Sequence, residues 1–290
     1  MDHRVIYLMS GPSYLPYLVC SLKTLRQHWT GMVEVHAWPE SFELTKRVAL
    51  DDRLQIEVIQ REPVDVGSRR KKWQFVDKIR LCRESSARAV LYLDADTTVH
   101  GAVDYLFAMA ASYSFVATQF NDWCSNRTTI RKRVERLKGH GIADDREIDS
   151  IVTGEVPSPN GGVFACRPES SILREWENTT LQVMDIFIPD ETALHLMLRR
   201  HYGGGSMTLA SGGRWNCSPK YQPKGLRDED VVIRHYHGHS NVRPNKSQRG
   251  VDLWWPIFEH CLVVNIGGMA EWIDGIENKY LNRLLEEERK

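Results

Sequence analysis

Residues 91–99 read LYLDADTTV, which joins a short apolar run to two carboxylates one residue apart. The apolar run predicts a buried strand that ends at Asp94. Residues i and i+2 of an extended chain point to one side, and a turn lets Asp94 and Asp96 converge. Paired carboxylates suit a hard cation such as Mg²⁺ or Mn²⁺, whose open positions phosphate oxygens commonly fill. The stretch therefore predicts a metal that carries a diphosphate at the end of a strand.

The same triplet also has a simpler interpretation. Aspartate is common in surface turns after strands, because its side chain bonds to its own backbone. From Asp94 and Asp96 alone, a metal site and a plain turn both stay open.

Apolar patterns around this stretch predict alternating strands and helices. Strands are expected at residues 5–9, 33–38, 54–59, 89–93, 114–120, 163–166 and 231–236, and helices at residues 14–28, 74–86, 131–138, 171–187 and 192–201. Ser13 and Asp190 are expected to be helix N-caps. This alternation favours an α/β fold with a mainly parallel sheet between helices.

We expect one domain over residues 1–250 and a helical extension packed on it over residues 251–290. The charged segment 126–150 is expected to be an insertion without a clear strand. The aromatic residues of the extension fit a core, an acceptor groove or a membrane contact, and helical spacing favours the core.

Composition excludes several classes of protein. The chain has 290 residues, of which 42% are hydrophobic, so it can bury a large core. Lys plus Arg equal Asp plus Glu at 38 each, which gives no net charge for attracting nucleic acid, and we expect no nucleic-acid partner. Six scattered cysteines without a Cys-x-x-Cys pair favour reduced thiols.

With no signal peptide or membrane span in the sequence, we expect a cytoplasmic protein, and membrane-peripheral contact and oligomeric state stay open.

Two further motifs suit a ligand that carries a diphosphate or hydroxyl groups. Lys78 lies sixteen positions before Asp94 on a predicted helix, where its charge can neutralise a diphosphate, although a solvated lysine is the alternative. Asn160, Gly161 and Gly162 let the backbone approach a ligand and offer an amide to hydroxyl groups. A plain turn into a strand fits these three residues equally well.

Acidic and imidazole motifs follow. Asp190 and Glu191 form a carboxylate pair that either faces a reacting sugar or merely begins a helix. His235, His237 and His239 alternate along a strand end and share one side. A neutral imidazole there can complete the Asp-x-Asp metal site, form a three-histidine zinc site, or lie solvated or in the core.

In order along the chain, these motifs resemble those of the retaining GT-A glycosyltransferases of family 8, which include glycogenin and bacterial lipopolysaccharide galactosyltransferases. Similar chains carry Lys or Arg sixteen residues before Asp-x-Asp, then Asn-x-Gly-Val-Phe, Asp-Gln-x-x-Leu and a late His-x-x-Gly with Lys-Pro. The matching positions are Lys78 and residues 94–96, 160–164, 190–194 and 235–244, within a likeness that spans residues 5–245. Glu191 stands where the family often has Gln, and two residues are added before Arg243.

The resemblance implies a GT-A, Rossmann-like mixed sheet and transfer of a hexose, with retention, from a UDP-sugar to an acceptor hydroxyl. It implies Mn²⁺, or else Mg²⁺, on Asp94, Asp96 and His235, and catalysis by Asp190 or Glu191. The acceptor would be a carbohydrate, a glycolipid or a protein. Donor contacts are implied for Tyr7, Ser10, Gly11, Lys78, Asp94, Ala95, Asn160, Gly161, Gly162, His237, Gly238 and Arg243.

Two other functions fit part of the sequence. A sugar nucleotidyltransferase also uses paired carboxylates and a metal, but such enzymes usually carry a glycine-rich basic loop near the N-terminus, whereas residues 10–13 read SGPS. A non-catalytic protein with the same fold would bind the nucleotide sugar without turning it over. Donor binding measured together with turnover separates this second alternative from an enzyme.

Overall fold

The computed structural model describes residues 2–67, 72–119, 127–155, 157–218 and 222–236. Its strands are β1 (His3–Met9), β2 (Met32–Ala37), β3 (Ile56–Gln60), β4 (Ala89–Leu93), β5 (Thr97–Val99), β6 (Phe115–Gln119), β7 (Pro159–Cys166), β8 (Met207–Ala210) and β9 (Ile233–His235). Its α-helices are α1 (Leu15–Leu25), α2 (Pro39–Val48), α3 (Gln74–Glu84), α4 (Asp104–Tyr113), α5 (Arg127–Gly139), α6 (Asp145–Thr153), α7 (Ser171–Gln182) and α8 (Pro189–His201).

Seven strands form the central sheet in the order β3-β2-β1-β4-β7-β6-β8. The pairs β1–β2, β2–β3, β1–β4 and β6–β8 are parallel, and β7 runs antiparallel to both of its neighbours. The predicted mainly parallel α/β sheet is confirmed, with β7 as its reversed strand.

The buried strand β4 is apolar on both faces because helices cover both sides of the sheet. Leu91 and Leu93 pack into the core on one face, and Val90 and Tyr92 into the core on the other. The apolar run ends at Leu93, so the chain leaves the core with Asp94, as the sequence predicts.

The reversed strand β7 brings its beginning to the edge of the sheet where β4 ends. The backbone N–H of Asp94 donates to the carbonyl of Gly162 at 2.7 Å, which fixes this meeting point. Beyond it, β5 pairs antiparallel with β9, and Thr97 lies opposite His235. The late strand therefore returns to the acidic pair through a small second sheet.

Several predicted boundaries are wrong. Helix α1 begins at Leu15 after a 3-10 turn, so Tyr14 and not Ser13 is its N-cap residue. Helix α8 begins at Pro189 with Ile188 at the N-cap position, so Asp190 lies inside the first turn and caps nothing. In both places a proline fixes the start of the helix, since it is preorganised for the first turn.

Other elements were not predicted. Helices α2, α4 and α6 and the edge strand β8 are absent from the predicted elements, although Ile148, Ile151 and Val152 of α6 are buried at helical spacing. Helix α7 ends at Gln182, earlier than residue 187. Within the described ranges, no helix combines the length and apolarity that a bilayer span requires. The expected extension over residues 251–290 lies outside the described residues, as do all other residues from 237 onward.

Candidate metal centre and sugar-nucleotide site

Three candidate metal ligands meet at the end of β4. His235 Nε2 lies 3.2 Å from Asp96 Oδ1 and 3.7 Å from Asp94 Oδ2. One ligand atom from each residue falls within 4.8 Å of the others. Both carboxylates are partly exposed and the imidazole is buried, so the group opens to one side only.

The electrostatics of this group suit a cation. Burial alone would lower the pKa of His235, but the carboxylates of Asp96 and Asp94 outweigh it and raise that pKa. The site thus already attracts a proton, and a divalent cation would satisfy the same two carboxylates more fully. Two carboxylate oxygens and one imidazole nitrogen form a donor set that fits Mn²⁺ or Mg²⁺.

Gly162 allows this cluster to form. A Cβ atom at that position would overlap Cε1 of His235 and would lie 2.5 Å from Oδ2 of Asp94. Glycine is therefore required by close approach, and its φ angle is not the reason.

A second charged pair lies beside the metal group. Lys78 of α3 and Asp190 of α8 are both buried, and Nζ lies 2.5 Å from Oδ2. Burial would lower the pKa of Lys78, but Asp190 and then Asp94 raise it, so the ammonium stays charged. Burial raises the pKa of Asp190 against the opposing effect of Lys78.

Gly161 of β7 leaves room for the Lys78–Asp190 ion pair. A Cβ atom at Gly161 would lie 3.0 Å from Asp190 Oδ2 and 3.2 Å from Lys78 Nζ. The two adjacent glycines thus leave room on opposite faces of β7, one for the metal group and one for the ion pair. The indole of Trp176 donates to the carbonyl of Asp190 at 2.7 Å and holds the first turn of α8.

Glu191 is held from two sides. Its Oε1 accepts from Arg133 Nη1 at 2.8 Å, and its Oε2 accepts from Asn160 Nδ2 at 2.8 Å. Asn160 Oδ1 accepts from the backbone N–H of Gly162 at 2.9 Å. The predicted residues Asn160 and Glu191 are therefore in direct contact.

An open cavity of about 150 Å³ adjoins the metal group. This volume is smaller than the roughly 300 Å³ of a typical small-molecule site, so the described residues enclose only part of the space that such a ligand needs. Ser10 Oγ donates to Gln74 Oε1 at 2.5 Å on its wall. The lining residues are Leu8, Ser10, Tyr14, Gln74, Phe75, Lys78, Tyr92, Asp94, Ala95, Asp96 and His235.

The structure brings most of the predicted residues together but not all of them. Tyr7 is fully buried on the other face of β1, where its hydroxyl lies 2.9 Å from Ser21 Oγ, so its side chain does not reach the cavity. Strand alternation explains this, since Leu8 and Ser10 line the cavity. Gly11 follows β1 but is not among the lining residues. His237, Gly238 and Arg243, and with them His239, lie outside the described residues.

Sequence reasoning missed two residues of this site, Asn216 and Arg133. Asn216 is fully buried, and its Oδ1 lies 2.9 Å from His235 Nδ1. Arg133 could have been found, because Ile130, Val134 and Leu137 mark the buried face of α5 and Arg133 lies beside them at helical spacing. A charged residue on a core-facing position indicates a buried partner. Asn216 lies in an irregular segment that gives no comparable signal.

Comparisons with known proteins agree with this architecture. No protein-family model and no curated protein matches the sequence. Among solved structures, the chain is similar to the galactosyltransferase LgtC in complex with donor and acceptor sugar analogues, at 15% identity over 89% of this chain and 95% of that one, with a TM-score of 0.57. It is also similar to mouse xyloside xylosyltransferase 1 in its apo form, at 11% identity over 84% of this chain and 100% of that one, again with a TM-score of 0.57.

Both structures are glycosyltransferases of the GT-A fold, and this chain has the same fold, as its motifs predict. At identities this low the likeness concerns the fold. The chemistry must therefore be argued from the side chains of this chain.

Proposed function

We propose that this protein is a metal-dependent glycosyltransferase that moves a sugar from a nucleotide-diphosphate donor, with UDP as the nucleotide, to an acceptor hydroxyl. The observation that carries the proposal is the cluster of Asp94, Asp96 and His235 on the wall of a cavity that Lys78 also lines. Asp-Asp-His beside a buried ammonium is an arrangement suited to a diphosphate. The fold shared with two glycosyltransferases supports the same proposal.

Mn²⁺, or Mg²⁺ in its place, would be held by Asp94, Asp96 and His235. When bound, such an ion neutralises the charge that develops on a leaving diphosphate. Lys78 adds a fixed positive charge on the same wall, preorganised by its buried partner Asp190.

The sugar is assigned to the residues of β7 and α8 that lie beside the metal group, although they are not among the residues that line the cavity. Asn160, Gly161 and Gly162 place backbone and amide groups there, and Asp190 is the buried carboxylate paired with Lys78. In the described part of the chain, Oδ1 of Asp190 accepts no hydrogen bond. Asp190 is therefore the carboxylate that we assign to stabilising positive charge on the sugar ring, with retention of configuration as the expected outcome.

Ser10, Gln74 and Tyr14 also line the cavity, and we assign them to the nucleotide. Ser10 and Gln74 already hydrogen-bond to each other, and the Tyr14 ring adds a surface for stacking. The acceptor is a carbohydrate, a glycolipid or a protein, and it would enter from the open side of the metal group.

The test is transfer or hydrolysis from a panel of nucleotide sugars, with and without Mn²⁺, in the wild-type protein and in Asp96→Asn. We expect Mn²⁺-dependent release of the nucleoside diphosphate in the wild type and a loss of at least about 100-fold in the variant, since one metal ligand is removed. Asp52→Asn, an exposed residue outside the cavity, is the matched control.

Unchanged metal-dependent turnover in Asp96→Asn would refute the proposal. Donor binding by calorimetry without turnover on any acceptor would favour a non-catalytic binding protein. NMR of the product's anomeric proton decides between retention and inversion.

A further inference from the structure

A continuous chain of hydrogen bonds connects helix α5 to the candidate metal ligand His235. Arg133 Nη1 donates to Glu191 Oε1 at 2.8 Å, and Asn160 Nδ2 donates to Glu191 Oε2 at 2.8 Å. Asn216 Nδ2 donates to Asn160 Oδ1 at 3.1 Å, and His235 Nδ1 lies 2.9 Å from Asn216 Oδ1. Four of these side chains are buried and that of Arg133 is 12% exposed, so water does not compete with the chain.

The orientation of the Asn160 amide is determined twice. A backbone N–H can only donate, and that of Gly162 lies 2.9 Å from Asn160 Oδ1, which must therefore be the oxygen. An ionised carboxylate can only accept, so Glu191 requires the nitrogen of Asn160 on its side. Both partners demand the same orientation.

The orientation of Asn216 follows from its neighbours. Asn160 presents its oxygen to Asn216. The hydroxyl of Thr118 donates its hydrogen bond to the carbonyl of Val163 at 2.6 Å. Thr118 Oγ1 can therefore only accept from Asn216 Nδ2, which lies 2.8 Å away. With Nδ2 directed at two acceptors, Asn216 must present Oδ1 to His235.

This arrangement selects one form of the imidazole. Because Asn216 offers an acceptor, Nδ1 of His235 carries a proton and donates it. Nε2, which lies toward Asp94 and Asp96, then holds the lone pair that a metal needs. A hydrogen bond on the second ring nitrogen also fixes the ring plane.

We propose that Asn216 is a positioning residue for the metal ligand His235, and that Glu191, neutralised by Arg133, anchors the chain that orients Asn216. The proposal rests on the metal site of the proposed function. It assigns Glu191 to orienting the site, whereas its neighbour Asp190 is the carboxylate left for the sugar. Both Glu191 oxygens are already engaged as acceptors, which fits an anchor.

The first test measures Mn²⁺ affinity by electron paramagnetic resonance of the free ion, which requires no turnover. Asn216→Leu keeps the side-chain volume and removes the acceptor, and we expect the Mn²⁺ dissociation constant to rise about 10- to 100-fold. Asn178→Leu on the exposed face of α7 is the matched control. Thr118→Val is isosteric and should raise the constant by a few-fold, which provides a second measure if Asn216→Leu folds poorly.

The second test addresses Glu191. In Glu191→Gln, the new amide can accept from Asn160 only if its NH₂ group faces the guanidinium of Arg133, which is also a donor. We therefore expect Mn²⁺ affinity to fall about tenfold. Arg133→Met in the same chain removes that conflict, and the double variant should recover most of the affinity and the turnover. Arg136→Gln is the control on α5, since Arg136 pairs with the exposed Asp185.

An unchanged Mn²⁺ constant in both Asn216→Leu and Thr118→Val would overturn the role of Asn216. A double variant that regains Mn²⁺ binding but no turnover would overturn the role of Glu191, because it would place that carboxylate on the substrate. Wild-type protein that binds no Mn²⁺ refutes the inference together with the metal site. Mn²⁺ binding that depends on Asn216, without transfer from any donor, refutes the proposed function alone.

Discussion

At the scale of single residues, the site depends on how closely its side chains approach the backbone. The Asp94 N–H is bonded to the Gly162 carbonyl, and the carboxylate of Asp94 and the ring of His235 both fill the space that a side chain at Gly162 would need. An acidic pair at a strand end is common in surface turns. A surface turn does not explain why the carboxylate of Asp94 and the ring of His235 both pack against Gly162.

Gly162→Ala tests this packing. The added methyl group overlaps His235 and must displace the imidazole, so we expect Mn²⁺ affinity to fall at least about tenfold and the free energy of unfolding to fall by about 1–3 kcal/mol. Binding is measured by calorimetry and stability by urea titration. Gly139→Ala at the end of α5 meets no atom within 4 Å and serves as the control. Wild-type Mn²⁺ affinity in Gly162→Ala would contradict the geometry described for the site.

At the scale of elements, the ion pair of Lys78 and Asp190 joins helix α3 to the first turn of α8 across β7. The loop before α8 is held by Lys72, which donates to the carbonyls of Met184 and Ile186 at 2.5 and 3.0 Å. Ile188 then adopts a φ of 52°, which is unusual for a β-branched residue and costs about 1–2 kcal/mol. Placing the carboxylates of α8 thus has an energetic cost that the surrounding contacts offset.

Lys78→Met tests the connection between the two helices. It leaves a buried carboxylate without its cation, and we expect the free energy of unfolding to fall by about 3–5 kcal/mol. Lys78→Met with Asp190→Asn removes both charges and should recover most of that loss. Urea titration of the four proteins of this cycle gives the coupling energy, and a double variant no more stable than Lys78→Met would contradict the pairing.

The same cycle has a defined pH dependence. Burial raises the pKa of Asp190 above its ordinary value of 3.8, and loss of Lys78 removes the charge that opposes this shift. When an acid has a higher pKa in the folded state than in the unfolded state, it lowers the free energy of unfolding as pH rises from the unfolded-state pKa through the folded-state pKa. The deficit of Lys78→Met relative to the wild type should therefore be smaller near about pH 4 than near about pH 8.

At the scale of the whole molecule, the site forms where three separate parts of the chain meet. Strand β4 supplies the acidic pair, the reversed strand β7 supplies the two glycines, and β9 returns with His235 from the far end of the described chain. A metal that binds these parts together should stabilise the folded state as a whole, since the unfolded chain holds no such site.

Mn²⁺ should therefore raise the thermal unfolding temperature. At about one hundred times the dissociation constant the expected gain is about 2.7 kcal/mol, which corresponds to a rise on the order of 5 °C for a chain of this size. Asp96→Asn should lose this rise while keeping the fold. The measurement is differential scanning fluorimetry with and without Mn²⁺, and an equal rise in both proteins would show that the ion acts at another place.

Short-range patterns explain what could be predicted. The apolar run before Asp94 defined β4 and its end, and the spacing of apolar residues defined α1, α3 and the class of sheet. Helix α8 was placed three residues late and Asp190 was misassigned as its cap, although Pro189 marks the first turn. The left-handed conformation of Ile188 and the contacts that hold it are not local features of the sequence.

The sequence by itself determined the α/β class and the position of the acidic pair, because strand and helix periods are properties of consecutive residues. Its motifs also named Lys78, Asn160, Asp190 and His235 as candidate partners of that pair. Only the tertiary structure decided that Tyr7 faces the core, that Lys78 pairs with Asp190, and that Arg133 and Asn216 belong to the site. Those contacts join residues that are separated in sequence: Tyr7 and Ser21 by 14 positions, Asn216 and His235 by 19, and Arg133 and Glu191 by 58. They form through the packing of whole elements, which no local pattern encodes.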